Sequence, residues 1–206
     1  MSLAIEKNGS GNGCLIRAHS GQDLMDLPVD EIKEIFKSSG ALLFRGFNAD
    51  PWSMKSFANQ FSVRFNRDRL RPQVENSGGF IQKVNEGMGI ALPHCEQANS
   101  PFRPDAIWFC CTRPAKDGGE TLFWDGISLW EDFSPELKAK FTGKKLRFFQ
   151  RYPSDRWQLF LGEKATLEDV RQALDGVEGV SYFISDDQSV YLEYVCPAVV
   201  DTRYGG

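Results

Sequence analysis

Histidine is scarce in this sequence: 206 residues contain two, His19 and His94. A metal site that uses His94 has no second imidazole further along the chain to complete it, because none follows. Paired cysteines are lacking too. Cys14, Cys95, Cys110, Cys111 and Cys196 include no C-x-x-C spacing and leave one thiol over in any disulfide scheme, so reduced thiols in a cytoplasmic protein are expected. Excess positive charge is missing: 24 Lys and Arg stand against 28 Asp and Glu, and the net charge of −4 gives no general attraction to nucleic acid or an anionic membrane. No stretch approaches the roughly eighteen consecutive apolar residues of a membrane span. Residues 1–13 are polar and Gly-rich, without the apolar core of a secretory leader. These absences point to a soluble intracellular protein with no nucleic-acid or membrane partner.

Apolar material is plentiful. A composition of 41% hydrophobic and 13% aromatic residues supplies an ample core, and the length suits one domain spanning residues 1–206. Pro28 opens a helix that sets Val29, Ile32, Ile35 and Phe36 on one stripe before Gly40 ends it. Residues 41–44 read as a short buried strand. Asp50 caps and Pro51 opens a second helix, whose stripe of Trp52, Met54, Phe57, Ala58 and Phe61 is read as core. Periodicity then fades from 64 to 88, where the basic run Arg64, Arg67, Arg69 and Arg71 is either a solvated connection or a holder of a charged substrate.

Residues 106–112 and 120–124, joined by the turn Lys116-Asp117-Gly118-Gly119, predict a hairpin, with Cys110 and Cys111 as small apolar fillers. Asp125 and Ser134 cap two short helices, and residues 144–152 alternate as a strand. Thr166 opens a boxed helix stopped at Gly176, and strands at 180–185 and 189–195 follow around the turn Asp186-Asp187-Gln188. The pattern fits an α+β, mainly β protein built on an antiparallel sheet or a double-sheet roll.

The chemistry centres on Leu92-Pro93-His94-Cys95-Glu96. In a half-extended segment, side chains two apart project together over a backbone span of roughly 6.7 Å, from which imidazole and carboxylate can converge on one metal. Those are two of the three ligands of a facial triad that holds Fe(II) and leaves positions open for small molecules. By itself the pair also reads as a histidine hydrogen-bonded at a core edge, since His and Glu two apart recur by chance. If the chain itself supplies a third ligand, His19 is the first candidate.

Three motifs in order carry a resemblance: Gly40-Ala41-Leu42-Leu43-Phe44-Arg45-Gly46-Phe47, the His94 segment, and Arg113-Pro114-Ala115-Lys116-Asp117-Gly118-Gly119-Glu120-Thr121. Together they resemble the taurine dioxygenase (TauD/TfdA-like) group of Fe(II)/2-oxoglutarate-dependent oxygenases. Within it they look closest to the branch of syringomycin-biosynthesis hydroxylases and clavaminate synthase, which uses Glu in place of Asp. The resemblance implies a double-stranded β-helix, or jelly roll, in which His94 and Glu96 bind Fe(II) and Thr121, of the family's G-G-[DE]-T motif, touches the oxoglutarate carboxylate. Cys95 occupies a position that varies in the family, and a bystander role is expected of it ahead of a redox one. Also implied are 2-oxoglutarate and O2 as cosubstrates and a small or carrier-tethered metabolite as substrate. The carboxylate ligand favours hydroxylation, desaturation or cyclisation, because related halogenases vacate that position for chloride.

Complete members of the family carry a C-terminal section with the distal His and an Arg that pairs with oxoglutarate. Here no His follows Glu96, and Arg203 comes too early in the family's order to stand in for that Arg. The chain therefore resembles the N-terminal two thirds of the family domain. On this reading the sheet edges beside residues 180–195 and a face lined by Trp108 and Phe123 lack their cover, and a homo-oligomer or a partner-dependent protein is expected. The alternative is a truncated, catalytically silent jelly-roll protein that serves in binding or interaction. A third variant keeps the activity and takes the missing section from a separate polypeptide.

Overall fold

The computed structural model describes residues 3–7, 13–68, 71–84 and 92–202. Arg69 of the basic run and Arg203 lie outside the described residues. The chain divides into two compact units. The first takes Met1–Phe65, Gln73–Lys83 and Ala106–Leu129, and the second takes Asn66–Pro72, Val84–Asp105 and Trp130–Gly206. Among the described residues the strands form two three-stranded sheets and no closed barrel, and no helix is long and apolar enough to cross a membrane.

The first unit is built on strands β1 (Ala4–Lys7), β2 (Cys14–Arg17) and β3 (Leu42–Arg45), in that spatial order. β1 runs antiparallel to β2, while β2 and β3 are parallel, with Cys14 opposite Leu42. A parallel pair needs a crossover, and helix α1 (Val29–Ser39) lies between these two strands in sequence. It buries Ile32 and ends as its sequence predicts, on Gly40 at φ +70, whose amide bonds the Phe36 carbonyl. Pro28 stands one residue earlier than a first-turn proline, at the N-cap. Helix α2 (Pro51–Ala58) is capped by Asp50, whose carboxylate accepts from the Trp52 and Ser53 amides.

The stripe expected to be core is so in part: Phe57 and Ala58 are buried and Phe61 packs on Phe57, whereas Trp52 is exposed. Phe57 is buried against Phe44, Phe61 and Trp108, with ring centroids 5.5, 4.9 and 5.8 Å away. Ile16, Leu24, Leu27, Ile32 and Phe47 complete the cluster. Trp108 corrects an expectation, since it packs on this core and does not line an uncovered face. Phe123, by contrast, is exposed, as are Ile107, Phe109, Leu122 and Trp124.

The hairpin expected at 106–112 and 120–124 does not form strands. Its turn is present, with Gly118 and Gly119 at φ +62 and +75, and the Phe109 and Phe123 rings meet edge to face at 6.1 Å. The two runs thus approach each other without a ladder. A two-stranded hairpin is marginal unless a third strand or a packed face supports it, and here Ile107, Phe109, Leu122, Phe123 and Trp124 stay exposed while Trp108 packs on the core.

Helix α3 (Gly126–Asp132) follows Asp125, whose carboxylate accepts from the Ile127 amide, and α4 (Pro135–Phe141) is capped by Ser134. In the second unit β4 (Lys145–Tyr152) leads into α5 (Ser154–Leu161) and α6 (Leu167–Leu174), then β5 (Val180–Ile184) and β6 (Val190–Pro197). The sheet order is β4-β6-β5, antiparallel throughout, with Gln150 opposite Leu192 and Tyr182 opposite Leu192. One face packs Tyr152, Tyr182, Ile184 and Val190 with Trp157 of α5 and Val170 of α6. α5 had no counterpart in the sequence reading, although Trp157, Phe160 and Leu161 recur at helical spacing after Pro153.

Two turns of this sheet yield predictions. Gly179 sits at φ +74, and a Cβ there would run into the Val195 carbonyl oxygen. Gly179→Ala is expected to destabilise the fold by more than the ~1–2 kcal/mol of a left-handed non-glycine residue, read as a lowered denaturant midpoint with unchanged slope. The β5–β6 turn is organised by Asp187, whose carboxylate accepts from the Ser185 hydroxyl, the Ser189 amide and hydroxyl, and Arg151. These bonds, the Ser185 hydroxyl foremost, hold its carboxyl down at about 2. A depressed carboxylate stabilises fully above its unfolded value of roughly 3.9, and the contribution is lost as pH falls through the folded value. The melting difference between wild type and Asp187→Asn should therefore be complete near neutrality and disappear as pH approaches about 2. A difference that stays constant with pH would break the assignment.

Candidate metal centre

Residues 92–95 are irregular rather than part of a strand, and a turn begins at Glu96, with the Ala98 amide on the Cys95 carbonyl at 3.3 Å. Strand alternation is therefore not what brings the two side chains together. The His94 ring folds back so that Nδ1 lies 2.7 Å from the Leu92 carbonyl oxygen. A carbonyl can only accept, so Nδ1 carries the proton, which leaves Nε2 as the ring nitrogen whose lone pair can serve a metal. That nitrogen lies 3.9 Å from Oε2 of Glu96. Two metal–ligand bonds of about 2.1 Å set donors roughly 4.2 Å apart when opposed but only about 3.0 Å apart at the right angle of a facial set, so one ion takes both donors in that arrangement once the pair closes by about 1 Å. The backbone carbonyl behind the ring is also the usual outer partner of a metal-binding histidine.

The other oxygen of Glu96 is engaged differently. Its Oε1 lies 3.5 Å from Nη2 of Arg71, and Nε of the same guanidinium lies 3.3 Å from Oδ2 of Asp68. Sequence reasoning read the run that contains Arg71 as a solvated connection or a holder of a charged substrate, and missed its contact with Glu96. Arg71 and Glu96 are 25 residues apart, and no local spacing could have signalled the contact. The side chain of His94 is 64% exposed and that of Glu96 29%.

Among the described residues no three His, Cys, Asp or Glu side chains gather closely enough to hold a metal, and His19 belongs to the first unit. His19 instead sits in a turn, its amide on Gln22 Oε1 at 3.0 Å. Thr121 is exposed and belongs to the first unit, whereas His94 and Glu96 belong to the second. Cys95 is an exposed free thiol. The Cys110 thiol is pushed up by partial burial and then by the charge of Asp50, which fits a filler better than a thiolate ligand. Two shallow cavities, one against α5 and α6 and one beside residues 20–31, are lined by none of His94, Glu96 or Thr121.

Comparison with known families supplies the deciding observation. The profile of the taurine catabolism dioxygenase TauD, TfdA family matches residues 12–185, most of the chain. The chain belongs to the TauD/TfdA family. This is a family of Fe(II)/2-oxoglutarate dioxygenases, and its fold is jelly-roll-like. The match takes in the His94 segment, Thr121 and strands of both sheets. No curated protein matches the chain.

Proposed function

We propose that this TauD/TfdA-family chain is an Fe(II)- and 2-oxoglutarate-dependent oxygenase, a single jelly-roll domain that hydroxylates, desaturates or cyclises a small or carrier-tethered metabolite in the cytoplasm. The observation that carries the proposal is the facing of His94 Nε2 and Glu96 Oε2 at 3.9 Å, with the imidazole tautomer set by the Leu92 carbonyl. His94 and Glu96 would hold the Fe(II). When bound, the metal with 2-oxoglutarate and O2 supplies the oxidising power, and 2-oxoglutarate leaves as succinate and CO2. The part of the protein is to orient and bind. The Leu92 carbonyl keeps the proton on Nδ1, Glu96 offers one oxygen as a hard anionic donor, and the Thr121 hydroxyl donates to the carboxylate of 2-oxoglutarate.

The reading is tested by ligand-induced stabilisation, because a ligand that binds only the folded chain raises its melting temperature by mass action. Mn(II), as a redox-silent substitute, should raise it, and 2-oxoglutarate should raise it further only when Mn(II) is present. An oxoglutarate shift independent of the metal would contradict the assignment.

One observation favours a second reading, an interaction protein without turnover. Ile107, Phe109, Leu122, Phe123 and Trp124 are exposed, which suits a face that works against a second copy or another subunit. On that reading Mn(II) leaves the melting temperature unchanged.

A further inference from the structure

We infer that Arg71 is the positioning residue of this centre: it holds one oxygen of Glu96 so that the other is presented, singly and in register with His94, to the metal. The inference rests on the proposed function. Its basis is the way the two carboxylate oxygens are divided. Oε1 faces Arg71 Nη2 at 3.5 Å, and Oε2 faces His94 Nε2 at 3.9 Å. A carboxylate free to rotate offers either oxygen or both, and one tied at Oε1 offers Oε2 alone. The tie is itself anchored, since Asp68 Oδ2 takes the Nε edge of the same guanidinium at 3.3 Å and the Arg71 amide bonds the Asp68 carbonyl at 3.2 Å. A planar guanidinium presents donors in a rigid fork, so fixing one edge fixes the other.

Burial separates this arrangement from surface ion pairs of the same chain. The side chains of Arg71, Asp68 and Glu96 are each about 30% exposed, whereas Arg17–Glu6 and Arg151–Asp187 are half exposed. Exposed pairs contribute little order, while partly covered ones keep more of their Coulomb attraction. A chain of contacts follows, from Asp68 through Arg71 and Glu96 on one side and from the Leu92 carbonyl through His94 on the other. Each ligand thus has a partner behind it, which is how outer groups orient metal ligands.

Two effects of removing Arg71 oppose each other, and their sign makes the test decisive. Loss of a nearby positive charge favours cation binding, while loss of the tie disfavours it. The first is screened by salt over roughly 4–5 Å at about 0.5 M ionic strength, and the second is not. Mn(II) affinity of the full chain, measured by titration followed by electron paramagnetic resonance at that ionic strength, is therefore expected to fall roughly 10- to 100-fold in Arg71→Met, the usual effect of losing an outer partner. Asp68→Asn should weaken binding less. Arg71→Lys should fall between Arg71→Met and wild type, because an ammonium keeps the charge without the fork. Metal-free melting curves of the three variants establish that each is folded. Should Arg71→Met fail to fold, the order of Arg71→Lys and Asp68→Asn against wild type decides. Unchanged or tighter Mn(II) binding in the Arg71 variants, with binding still lost in His94→Ala, overturns the inference and leaves the metal pair standing. Unchanged binding in His94→Ala removes the pair and the inference together.

Discussion

Replacing His94 with Ala is expected to abolish Mn(II) binding by this chain within the range of a calorimetric titration. The expectation follows from the size of the donor set. Only His94 and Glu96 face one another, no third His, Cys, Asp or Glu joins them among the described residues, and water must fill the remaining positions. A two-donor site is weak at the outset. Removing its only imidazole leaves a single carboxylate already paired with Arg71, and the loss should exceed the roughly 10- to 100-fold of an outer partner. Because the His94 side chain is largely exposed, with the Leu92 carbonyl at 2.7 Å as its hydrogen-bond partner among the described residues, its truncation should leave the melting temperature of the metal-free chain close to wild type. Equal Mn(II) binding by variant and wild type would refute the assignment.

The second large effect concerns 2-oxoglutarate. Thr121→Val keeps the shape of the side chain and removes its hydroxyl. If that hydroxyl donates to the cosubstrate carboxylate, a hydrogen bond to a charged group worth about 1.5–3 kcal/mol is lost, and the dissociation constant of 2-oxoglutarate from the Mn(II)-loaded chain should rise roughly 10- to 150-fold. Thr121 is exposed, so little packing is disturbed. A constant that does not move would remove Thr121 from the site.

How much of this could be read from the sequence depended on where each signal was stored. Helices announced themselves locally: the Asp50, Ser134 and Thr166 caps and the Gly40 terminus all stand where their chemistry predicts. So did strand β6 and the Asp187 turn. β1 and β2 were missed because neither carries an apolar run as long as residues 41–44, which announced the equally short β3, and the burial of Leu15 and Ile16 depends on partners elsewhere in the chain. The hairpin at 106–112 and 120–124 failed for the converse reason. Its residues favour strands, but propensity there measures fit to a half-buried pleated surface, and Phe109 and Phe123 find none. At the candidate metal centre the proposed ligands His94 and Glu96 could be picked out as a motif. The means of bringing them together could not, because the ring of His94 turns back on Leu92 and Arg71 reaches Glu96 across 25 residues.

The scarcity of histidine offers the most direct test of the central claim, that His94 binds the metal. Pulsed electron paramagnetic resonance of Mn(II) bound to chain labelled with 15N only at histidine can report nothing but His19 and His94. The account predicts coupling to one directly coordinated 15N imidazole, retained in His19→Ala and lost in His94→Ala. Coupling that survives in His94→Ala and vanishes in His19→Ala, or its absence from metal-loaded wild type, would contradict it.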